Sequence, residues 1–465
     1  MVEFDTIKDE LLAVTDSAVK YGRSLDSNAE VEVFAFYNKK MSAEISQGMV
    51  KASDGAVAGC AARVAIGRRV GFASASGITE DRLKLAVSEA HAIVSSVKVE
   101  DERFKGFCDP EGTGREGAFH NEILELGTHD LIRMCESMID DAKTVDDRAK
   151  IFTTEARAWW GAYAVGNSRG ILEATRFMGN GCSVSVQAIS GDERPGSFEF
   201  DVARDRIVAT EALGSRAAVR AVALLGGQKL DYKGPMTTVW EPASASLYVA
   251  ASLGRSVLGG PVVDGISPLC DMLGNEVGPK FLSIVDDGQD PKRAGTNAID
   301  AEGHPQQRNA VIEDGVLKGF LFDTYYARAY GVSPTGNATR GDGLMASATP
   351  YEAGPGVGIK HLTVDPGSKT LEDLINEIDG RAVLVQDFPL GIFHTDVATG
   401  QFAVVANSAH LIENGELKGP LKPVSVAGNF YEGLKNLVGI GSDIRDYPWN
   451  VSSASMMFDD FSIVG

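Results

Sequence analysis

Two histidines and two groups of acids are the residues whose types and spacing could support chemistry. His304 and His394 each lie in a segment with Gly or Pro, where binding side chains are often displayed. The acids lie at residues 286–287 and 300–302, and paired carboxylates can act as general acids and bases or bind hard metal ions. Each acid pair precedes a glycine, which is typical of carboxylates that cap a turn. Because neither histidine has a second histidine close by, we expect structural or surface roles for them. For the acids, the glycines that follow favour turn-forming roles.

Residues 334–340, PTGNATR, form a second candidate for binding. Asn337 and Arg340 lie in a glycine-containing, non-helical segment, where an amide and a cation could bind peptide carbonyls or a C-terminal carboxylate. The alternative is that Arg340 pairs with one of the 64 acidic residues. The candidate substrate-binding residues are therefore Asn337, Arg340, His394 and His304.

Two glycine-containing motifs favour structural interpretations. Residues 166–170 fit the Gly-x-Ser-x-Gly nucleophile elbow, which requires a strand before the serine and a helix after it. The following sequence, ILEATRF, has the pattern of a strand, so we predict a hairpin turn instead. Residues 354–358 lack the Lys-Ser/Thr that follows a phosphate-binding loop, and we predict a flexible loop there.

Apolar periodicity predicts the elements that position these segments. Apolar residues recur at three- and four-residue steps over residues 4–21, which predicts an amphipathic helix, and alternate over residues 31–37, which predicts a strand. Thr79 followed by two acids predicts another helix start, because a hydroxyl and early carboxylates satisfy exposed amides. Two further helices and one exposed connection are predicted at residues 130–145, 208–225 and 105–117.

The second half of the chain contains an internal echo. IEDGVLKG at residues 312–319 recurs as IENGELKG at residues 412–419. Asp-Gly and Asn-Gly supply the positive φ angles of a tight primed turn, so both segments are predicted to be β-hairpins, with helices following over residues 324–330 and 430–437. An old internal duplication would explain the echo, and independent use of the same turn chemistry is the alternative.

These patterns predict an α+β protein with two domains. The boundary lies before residue 230, where a helical segment ends at Gly226-Gly227 and LDYKGP follows. Residues 1–229 are predicted to form an N-terminal α+β domain, of α/β type with meander strands and helices. Residues 230–465 are predicted to form a larger strand-rich C-terminal domain that contains the echo.

Composition excludes several function classes. The 44 Lys and Arg residues against 64 Asp and Glu residues give a net charge of −20, so nucleic acid would be repelled. No run of about 18 apolar residues is present, and the N-terminal stretch is acidic, so we expect a cytoplasmic protein without a membrane partner. The five cysteines lack a Cys-x-x-Cys pair, which predicts buried free thiols rather than disulfides or a zinc knuckle.

The segments at residues 286–288, 300–331 and 334–340 together resemble the core signature of the TldD/TldE family. This family is also called the PmbA or "modulator of DNA gyrase" family. The resemblance continues through residues 402–419 and 426–443, and in the first half it is most evident at residues 167–170. It therefore covers most of the C-terminal half.

The resemblance also identifies what this chain lacks. Active TldD-type members carry a His-Glu-x-x-x-His helix that holds zinc and polarises water. The corresponding segment here is residues 246–260, predicted to be one helix, and its glycines place Ala250, Ala251 and Arg255 at the three functional positions. A further cysteine ligand near the C-terminus of active members is also missing, because residues 450–455 contain no cysteine.

The resemblance to the TldE/PmbA-like branch implies a metal-free subunit without catalytic residues of its own. A zinc-bearing TldD-like partner would complete a heterodimeric metalloprotease that degrades peptides or unfolded segments, with this chain contributing assembly and substrate handling. One alternative is an independent metallopeptidase with a divergent site built from His304, His394 and nearby acids. Another is a regulatory binding protein of a DNA gyrase-type system, suggested by the family's older name and the acidity of the chain.

Overall fold

The computed structural model describes residues 3–341 and 349–465. These residues form a mixed α+β structure with a strand-rich C-terminal half, which confirms the predicted fold class. The division at residue 230 stays a prediction. The elements of the first half are α1 (Ile7–Leu25), β1 (Glu30–Ser46), β2 (Met49–Ile66), β3 (Arg69–Ser76), α2 (Glu80–Ser96), α3 (Glu122–Glu125), α4 (Thr128–Lys143), β4 (Ala149–Asn167), β5 (Leu172–Ala188), β6 (Gly196–Ala203) and α5 (Leu213–Ala223).

A six-stranded sheet with the order β3-β2-β1-β4-β5-β6 is the framework of the first half. Every neighbouring pair in it is antiparallel, which refines the α/β-type description of this half. The predicted turn between β4 and β5 is confirmed. Asn167 Oδ1 accepts hydrogen bonds from the backbone N–H groups of Arg169 and Ile171, at 2.9 and 3.2 Å, so a side chain closes the hairpin.

Side-chain alternation along β4 gives the sheet two different faces. The helix-covered face carries small residues, and these are the fully buried Ala156, Ala158, Ala162 and Ala164. Arg157, Trp159 and Tyr163 occupy the intervening positions and line a cleft on the other face. On β1, Phe34 and Phe36 likewise pack towards the second half, so the predicted strand is buried on both faces.

Most helices of the first half begin and end close to their predicted positions. The amphipathic pattern over residues 4–21 corresponds to α1, and the segment at residues 130–145 corresponds to α4. The helix predicted from residue 208 begins only at Leu213. Helix α2 begins at Glu80 as predicted, although the Thr79 hydroxyl makes no capping hydrogen bond.

The predicted exposed connection at residues 105–117 is wrong in part. Phe107 and Cys108 are each 1 % exposed. Phe107 lies under the guanidinium of Arg63, with 4.8 Å between the guanidinium carbon and the ring centroid. The connection therefore contributes two buried side chains beside a cation, which its glycine-rich and charged composition did not reveal.

Within the described residues, the second half contains two larger sheets and one short pair of strands. Their strand orders are β10-β9-β8-β13-β21-β20, β15-β18-β22-β7-β14-β16-β17 with β19 beside β22, and β11-β12. The elements are β7 (Lys233–Trp240), α6 (Pro242–Ala251), α7 (Leu253–Ser256), α8 (Gly259–Val263), β8 (Ile284–Asp287), β9 (Arg308–Glu313), β10 (Val316–Leu317), α9 (Thr324–Tyr330), β11 (Ala338–Thr339), β12 (Gly356–Val357), β13 (Leu362–Val364), α10 (Leu371–Asn376), β14 (Arg381–Gln386), β15 (Gln401–Ala406), β16 (Ser408–Glu413), β17 (Glu416–Pro420), β18 (Val424–Asn429), α11 (Phe430–Lys435), β19 (Leu437–Ile440), β20 (Arg445–Tyr447), β21 (Val451–Ser453) and β22 (Met456–Val464).

Both predicted hairpins of the echo are confirmed. The turns joining β9 to β10 and β16 to β17 have positive φ at Asp314, Gly315, Asn414 and Gly415, between 50° and 79°. The two hairpins lie in different sheets. The predicted flexible loop at residues 354–358 instead contains β12, which pairs with β11.

The predicted single helix over residues 246–260 is wrong, because three short helices occupy this region. Helix α6 stops at Ser252, whose φ of −107° and ψ of −84° lie outside the helical region. The carbonyl of Ser252 accepts the hydroxyl of Ser256 at 2.8 Å. Periodicity indicated a continuous apolar helix and could not locate this break.

All five cysteines are free, and Cys60, Cys108, Cys135 and Cys182 are buried, as predicted. Cys270 is only partly buried. Burial raises the pKa of Cys60 to about 12, so this thiol is protonated at neutral pH. Among the helices of the described residues, none is both long and apolar enough to cross a membrane.

A buried chain of alternating charges joins the two halves. Arg63 donates two hydrogen bonds to Glu32, at 2.9 and 2.7 Å, and a third to Glu302 at 2.8 Å. Arg340 donates to the same Glu32 carboxylate at 2.7 Å. Glu32 is 0 % and Arg340 2 % exposed, so one carboxylate from the first half neutralises cations from both halves.

Replacing Glu32 with Gln should destabilise the protein strongly. A neutral amide at residue 32 would leave the buried cations Arg63 and Arg340 with Glu302 as the one remaining carboxylate of this charge cluster. Removing one partner of a buried ion pair costs about 3–5 kcal/mol. The expected result is a lower midpoint of urea unfolding than in the wild type, measured by tryptophan fluorescence.

Glu44→Gln on the same strand is the matched control. The Glu44 side chain is 42 % exposed and lies 3.7 Å from Lys51, so its replacement should change the free energy of unfolding by no more than about 0.5 kcal/mol. Equal midpoint shifts in the two variants would contradict the assigned role of Glu32.

Candidate functional site

A cleft of about 1060 Å³ lies between the sheet of the first half and helices α6 and α7 of the second half. A smaller pocket of about 360 Å³ adjoins it. Arg157, Phe393, Pro448 and Trp449 line both spaces. Together they form a continuous site with one wall from each half of the chain.

Helix α6 is positioned by ionic contacts at its first turn. Glu241, immediately before the helix, accepts from Arg220 of α5 at 2.5 Å and from Gln386 of β14 at 2.6 Å. Arg220 also donates to Asp387 at 3.1 Å. Burial alone would lower the pKa of Arg220, but Glu241 and Asp387 raise it, so this cation holds α6 against the first half at all ordinary pH values.

Ala250, Ala251 and Arg255 occupy the expected metal-binding positions, and all three line the cleft. Two methyl groups offer no lone pair, and a permanent cation repels a metal ion, so these residues do not fit zinc. Arg255 instead donates hydrogen bonds to the carbonyls of Phe393 and Thr395, at 3.3 and 3.1 Å. Across the described residues, no group of three His, Cys, Asp or Glu side chains is arranged to hold a metal ion.

The segment expected to carry a further ligand lies next to the same helix. Strand β21 packs against α6. Its Ser452 hydroxyl donates to Asp446 at 2.6 Å and lies 2.6 Å from His361 Nε2. Burial lowers the pKa of His361 to about 4, which keeps its imidazole neutral at physiological pH. The Ser452 hydroxyl is therefore held by hydrogen bonds within the protein.

The structure does not bring the two candidate histidines together. His304 is 0 % exposed, and its Nδ1 donates to the Pro305 carbonyl at 2.9 Å while Nε2 lies 3.1 Å from Glu111. His394 is exposed at the end of a 3₁₀ turn, in the segment that Arg255 holds. Neither histidine lines the cleft or the pocket.

Asn337 is committed to internal hydrogen bonds. Its amide nitrogen donates to Asp286 at 2.6 Å and to the Gly358 carbonyl at 2.9 Å, and its oxygen accepts from Thr335 and Asn309. These contacts fix the backbone that precedes β11 and leave the amide few contacts to offer a ligand. Its role in substrate binding stays a prediction.

Arg340 lines the cleft, but its guanidinium already has several partners. Besides Glu32, it donates to the carbonyls of Ala301 and Ala353, at 3.3 and 3.1 Å, and lies 4.6 Å from the ring centroid of Phe34. Burial lowers its pKa to about 10, which still leaves it charged at pH 7. The contact with an acid agrees with the alternative interpretation of Arg340, and any contact with substrate stays a prediction.

Two of these acids, Asp287 and Asp300, cap turns as predicted, whereas Asp286 and Glu302 accept hydrogen bonds from groups distant in the sequence. Asp287 accepts from the backbone N–H of Gln289 at 2.8 Å, and Asp300 accepts from the N–H groups of Glu302 and His304 at 2.9 and 3.0 Å. Burial raises the pKa of Asp300 to about 6. These carboxylates therefore stabilise the segment beneath the cleft.

A third buried acid, Asp323, lies close to this group. Its side chain caps α9 by accepting from the N–H of Tyr326 at 2.8 Å. Burial and the neighbouring Glu302 carboxylate raise the pKa of Asp323 to about 7. Burial would also raise the pKa of Glu302, but Arg63 holds it below its usual value. Among Asp300, Glu302 and Asp323, Asp323 therefore has the highest pKa.

Sequence reasoning missed Arg157 and the aromatic residues of the small pocket, including Phe198, Phe388 and Trp449. One signal for Arg157 was present, because EARAWWGAY alternates alanines with charged and aromatic residues over residues 155–163. A strand that buries small residues on one face presents the others together on the opposite face. The aromatic residues come from distant segments and had no local pattern.

Comparison with known proteins identifies the family. Residues 233–465 match the family model of the PmbA/TldA metallopeptidase C-terminal domain, and residues 121–225 match that of the central domain. The chain belongs to the PmbA/TldD family. It is 24% identical to a metalloprotease PmbA homolog of Haemophilus influenzae, over 98% of this chain and 97% of the relative. A metalloprotease of Methanothermobacter thermautotrophicus is 29% identical over 59% of this chain and 56% of the relative.

Solved structures show that the fold of this PmbA/TldD family member is shared. The crystal structure of TldE from Thermococcus kodakarensis aligns with a TM-score of 0.87 and 24% identity, over 97% of this chain and all of that chain. A putative modulator of a DNA gyrase from Thermotoga maritima aligns with a TM-score of 0.83 and 21% identity, over 99% of this chain and all of that chain. The family predicted from the sequence is confirmed.

Asp323→Asn should increase stability selectively at alkaline pH. An acid with a raised pKa binds more protons in the folded than in the unfolded state, so its contribution to stability falls as pH rises from about 4 to about 7. Asparagine keeps the helix cap and removes the charge. The variant should unfold near the wild-type temperature at pH 4 and at a clearly higher temperature at pH 8, with about 1.4 kcal/mol for each unit of pKa shift removed.

Asp323→Ala separates the two roles, because it removes the cap together with the charge. This variant should be less stable than wild type at pH 4, where the charge makes no difference and a lost cap costs about 1 kcal/mol. A wild-type dependence of unfolding temperature on pH in Asp323→Asn would contradict the assignment of the raised pKa to this carboxyl group.

Proposed function

We propose that this chain is the metal-free, TldE/PmbA-like subunit of a TldD/TldE-type metalloprotease complex in the cytoplasm. The proposal rests on one observation. Ala250, Ala251 and Arg255 line the cleft. By resemblance, they occupy the positions at which active members of the family carry two metal-binding histidines and a water-activating glutamate. A TldD-like partner would supply both, and this chain would contribute assembly and the handling of peptides or unfolded segments.

Several features of the cleft suit an extended peptide. Aromatic side chains from the N-terminal sheet form one wall, and backbone segments near β11 and β12 form part of the other. Aromatic surfaces contribute apolar contact area, and exposed main-chain groups bind an extended chain without depending on its sequence. The cleft volume of about 1060 Å³ accommodates more than one residue of such a chain.

Arg255 has a structural role at a position where active members of the family are expected to bind a metal ion. A histidine there would point its lone pair at a metal, whereas the arginine bridges to the carbonyls of Phe393 and Thr395. These hydrogen bonds tie α7 to the segment of residues 393–395, whose Phe393 lines both the large cleft and the small pocket. In this chain the position therefore holds the wall of the cleft and offers no metal ligand.

Copurification and metal analysis test the proposal directly. The chain purified alone should contain substoichiometric zinc and show no peptidase activity on an unfolded substrate. Coexpressed with a TldD-like protein from the same organism, it should elute in one complex that contains zinc and is active. Stoichiometric metal and activity in the lone chain would overturn the proposal in favour of an independent metallopeptidase.

The histidines provide a second test, made on the complex. His304→Gln combined with His394→Ala should leave its zinc content unchanged and cause only a modest loss of activity, because neither side chain lines the cleft. Glu→Gln at the water-activating glutamate of the partner's motif is the matched control and should abolish activity with assembly intact. Loss of zinc in the double histidine variant would show that this chain holds metal.

A further inference from the structure

Arg157 lies where the large cleft meets the small pocket, and it lines both. Its side chain is partly buried and lies 5.8 Å from the ring centroid of Trp159. It makes no hydrogen bond or ion pair with any other described residue. A partly buried guanidinium without an acceptor is costly, so an anionic or carbonyl ligand at this position would be stabilised.

The other cations of the cleft are already engaged. Arg340 is paired with Glu32. Lys360 donates to the Ala338 carbonyl at 2.7 Å, and Arg255 donates to two loop carbonyls. Among the described residues that line the cleft, Arg157 is thus the cation whose donors are not already engaged in hydrogen bonds. A planar guanidinium matches a carboxylate through two parallel hydrogen bonds.

The charge around Arg157 favours an anion on its large-cleft side. Although the chain carries a net charge of −20, no described Asp or Glu lines the large cleft. Asp201 and Glu155 line the small pocket, and Asp201 is held by Arg206 through two hydrogen bonds of 2.8 and 3.0 Å. Glu155, two residues before Arg157 on the same face of β4, would repel a carboxylate on the pocket side.

The small pocket is built for an apolar group. Phe388 packs edge-on against Phe198 and Trp449, with ring centroids 5.1 and 5.5 Å apart, and Phe200 lies 5.6 Å from Trp449. Contacts between rings fix these side chains before any ligand arrives. The volume of about 360 Å³ lies at the lower end of ligand pockets, which suits one large side chain.

We infer that this site binds the C-terminal end of a peptide whose last residue is large and apolar. The terminal carboxylate is held by Arg157 from the large-cleft side, the last side chain occupies the aromatic pocket, and the preceding residues extend along the large cleft. This inference rests on the proposed function in taking the ligand to be a peptide substrate. It adds the end of the peptide that is recognised and the residue that recognises it.

Peptide binding to the full chain tests the inference, because every residue of the site belongs to this chain. Fluorescence anisotropy would compare N-terminally labelled peptides that end in Phe with a free carboxylate, in Phe with an amide, and in Ala with a free carboxylate. We expect the amide and the Ala ending each to weaken binding about 10-fold, the effect of losing one charge-assisted contact or one buried apolar side chain. Unlabelled N-acetylphenylalanine should compete more weakly than the unlabelled peptide, because it leaves the large cleft unfilled.

Three variants separate the two contacts. Arg157→Gln should lose the preference for the carboxylate over the amide, and Arg157→Lys should retain part of it. Ser183→Trp, which fills the small pocket, should lose the preference for Phe over Ala and keep the preference for the carboxylate. Arg148→Gln is the control, since Arg148 is 49 % exposed, pairs with Asp146 and does not line the site.

Equal binding of the carboxylate and amide peptides by the wild-type chain would overturn the inference, as would an Arg157→Gln variant that still prefers the carboxylate. Absence of binding to all three peptides would overturn it as well. Assembly with a TldD-like partner is measured separately. Failure of terminal recognition with intact assembly refutes this inference alone, and failure of assembly refutes the proposed function alone.

Discussion

The shared carboxylate of Glu32 is the constraint on which the rest of the structure depends. It is fully buried between Arg63 of the same sheet and Arg340 of the second half, so the two halves have one relative position in which both cations are neutralised. A displacement that broke these contacts while the charges stayed buried would leave a charge unpaired in an apolar surrounding, which costs about 3–5 kcal/mol. Buried ion pairs add little net stability compared with apolar packing, but they select one geometry strongly. The dimensions of the cleft follow from that geometry.

Local sequence patterns predicted those parts of the fold that depend on local interactions. Turn chemistry located the hairpins at Asp314 and Asn414, and periodicity located α1, because each is decided within a few residues. The contact between Glu32 and Arg340 spans 308 positions, and no local pattern contains it. The helix break at Ser252 was missed for the same reason. Inside a packed core, the tertiary contacts around a residue decide whether a helix ends there, and the local sequence does not reveal them.

The candidate site was predictable in one respect and hidden in another. The motif comparison placed Ala250, Ala251 and Arg255 together, and all three line one cleft. The alternation in EARAWWGAY indicated that Arg157 shares a strand face with aromatic residues, but nothing in its own strand shows that the second half presents no acid to it. An arginine in an acidic chain is expected to have a partner, and only the assembled structure shows that Arg157 lines the cleft without a hydrogen-bond or ion-pair partner among the described residues.

The distribution of charge in the chain connects its composition to its cleft. Acidic residues outnumber basic ones by 64 to 44, yet the buried acids Glu32, Glu302 and Glu241 each face an arginine and so contribute little field outside their own pairs. The large cleft consequently carries cationic side chains inside a molecule whose surface is acidic. Such a molecule repels polyanions such as nucleic acid at long range and still attracts a single carboxylate at short range, within about 8–10 Å at physiological ionic strength. The end of a peptide meets that condition, because its one terminal charge lies beside an apolar side chain that the aromatic pocket can bury.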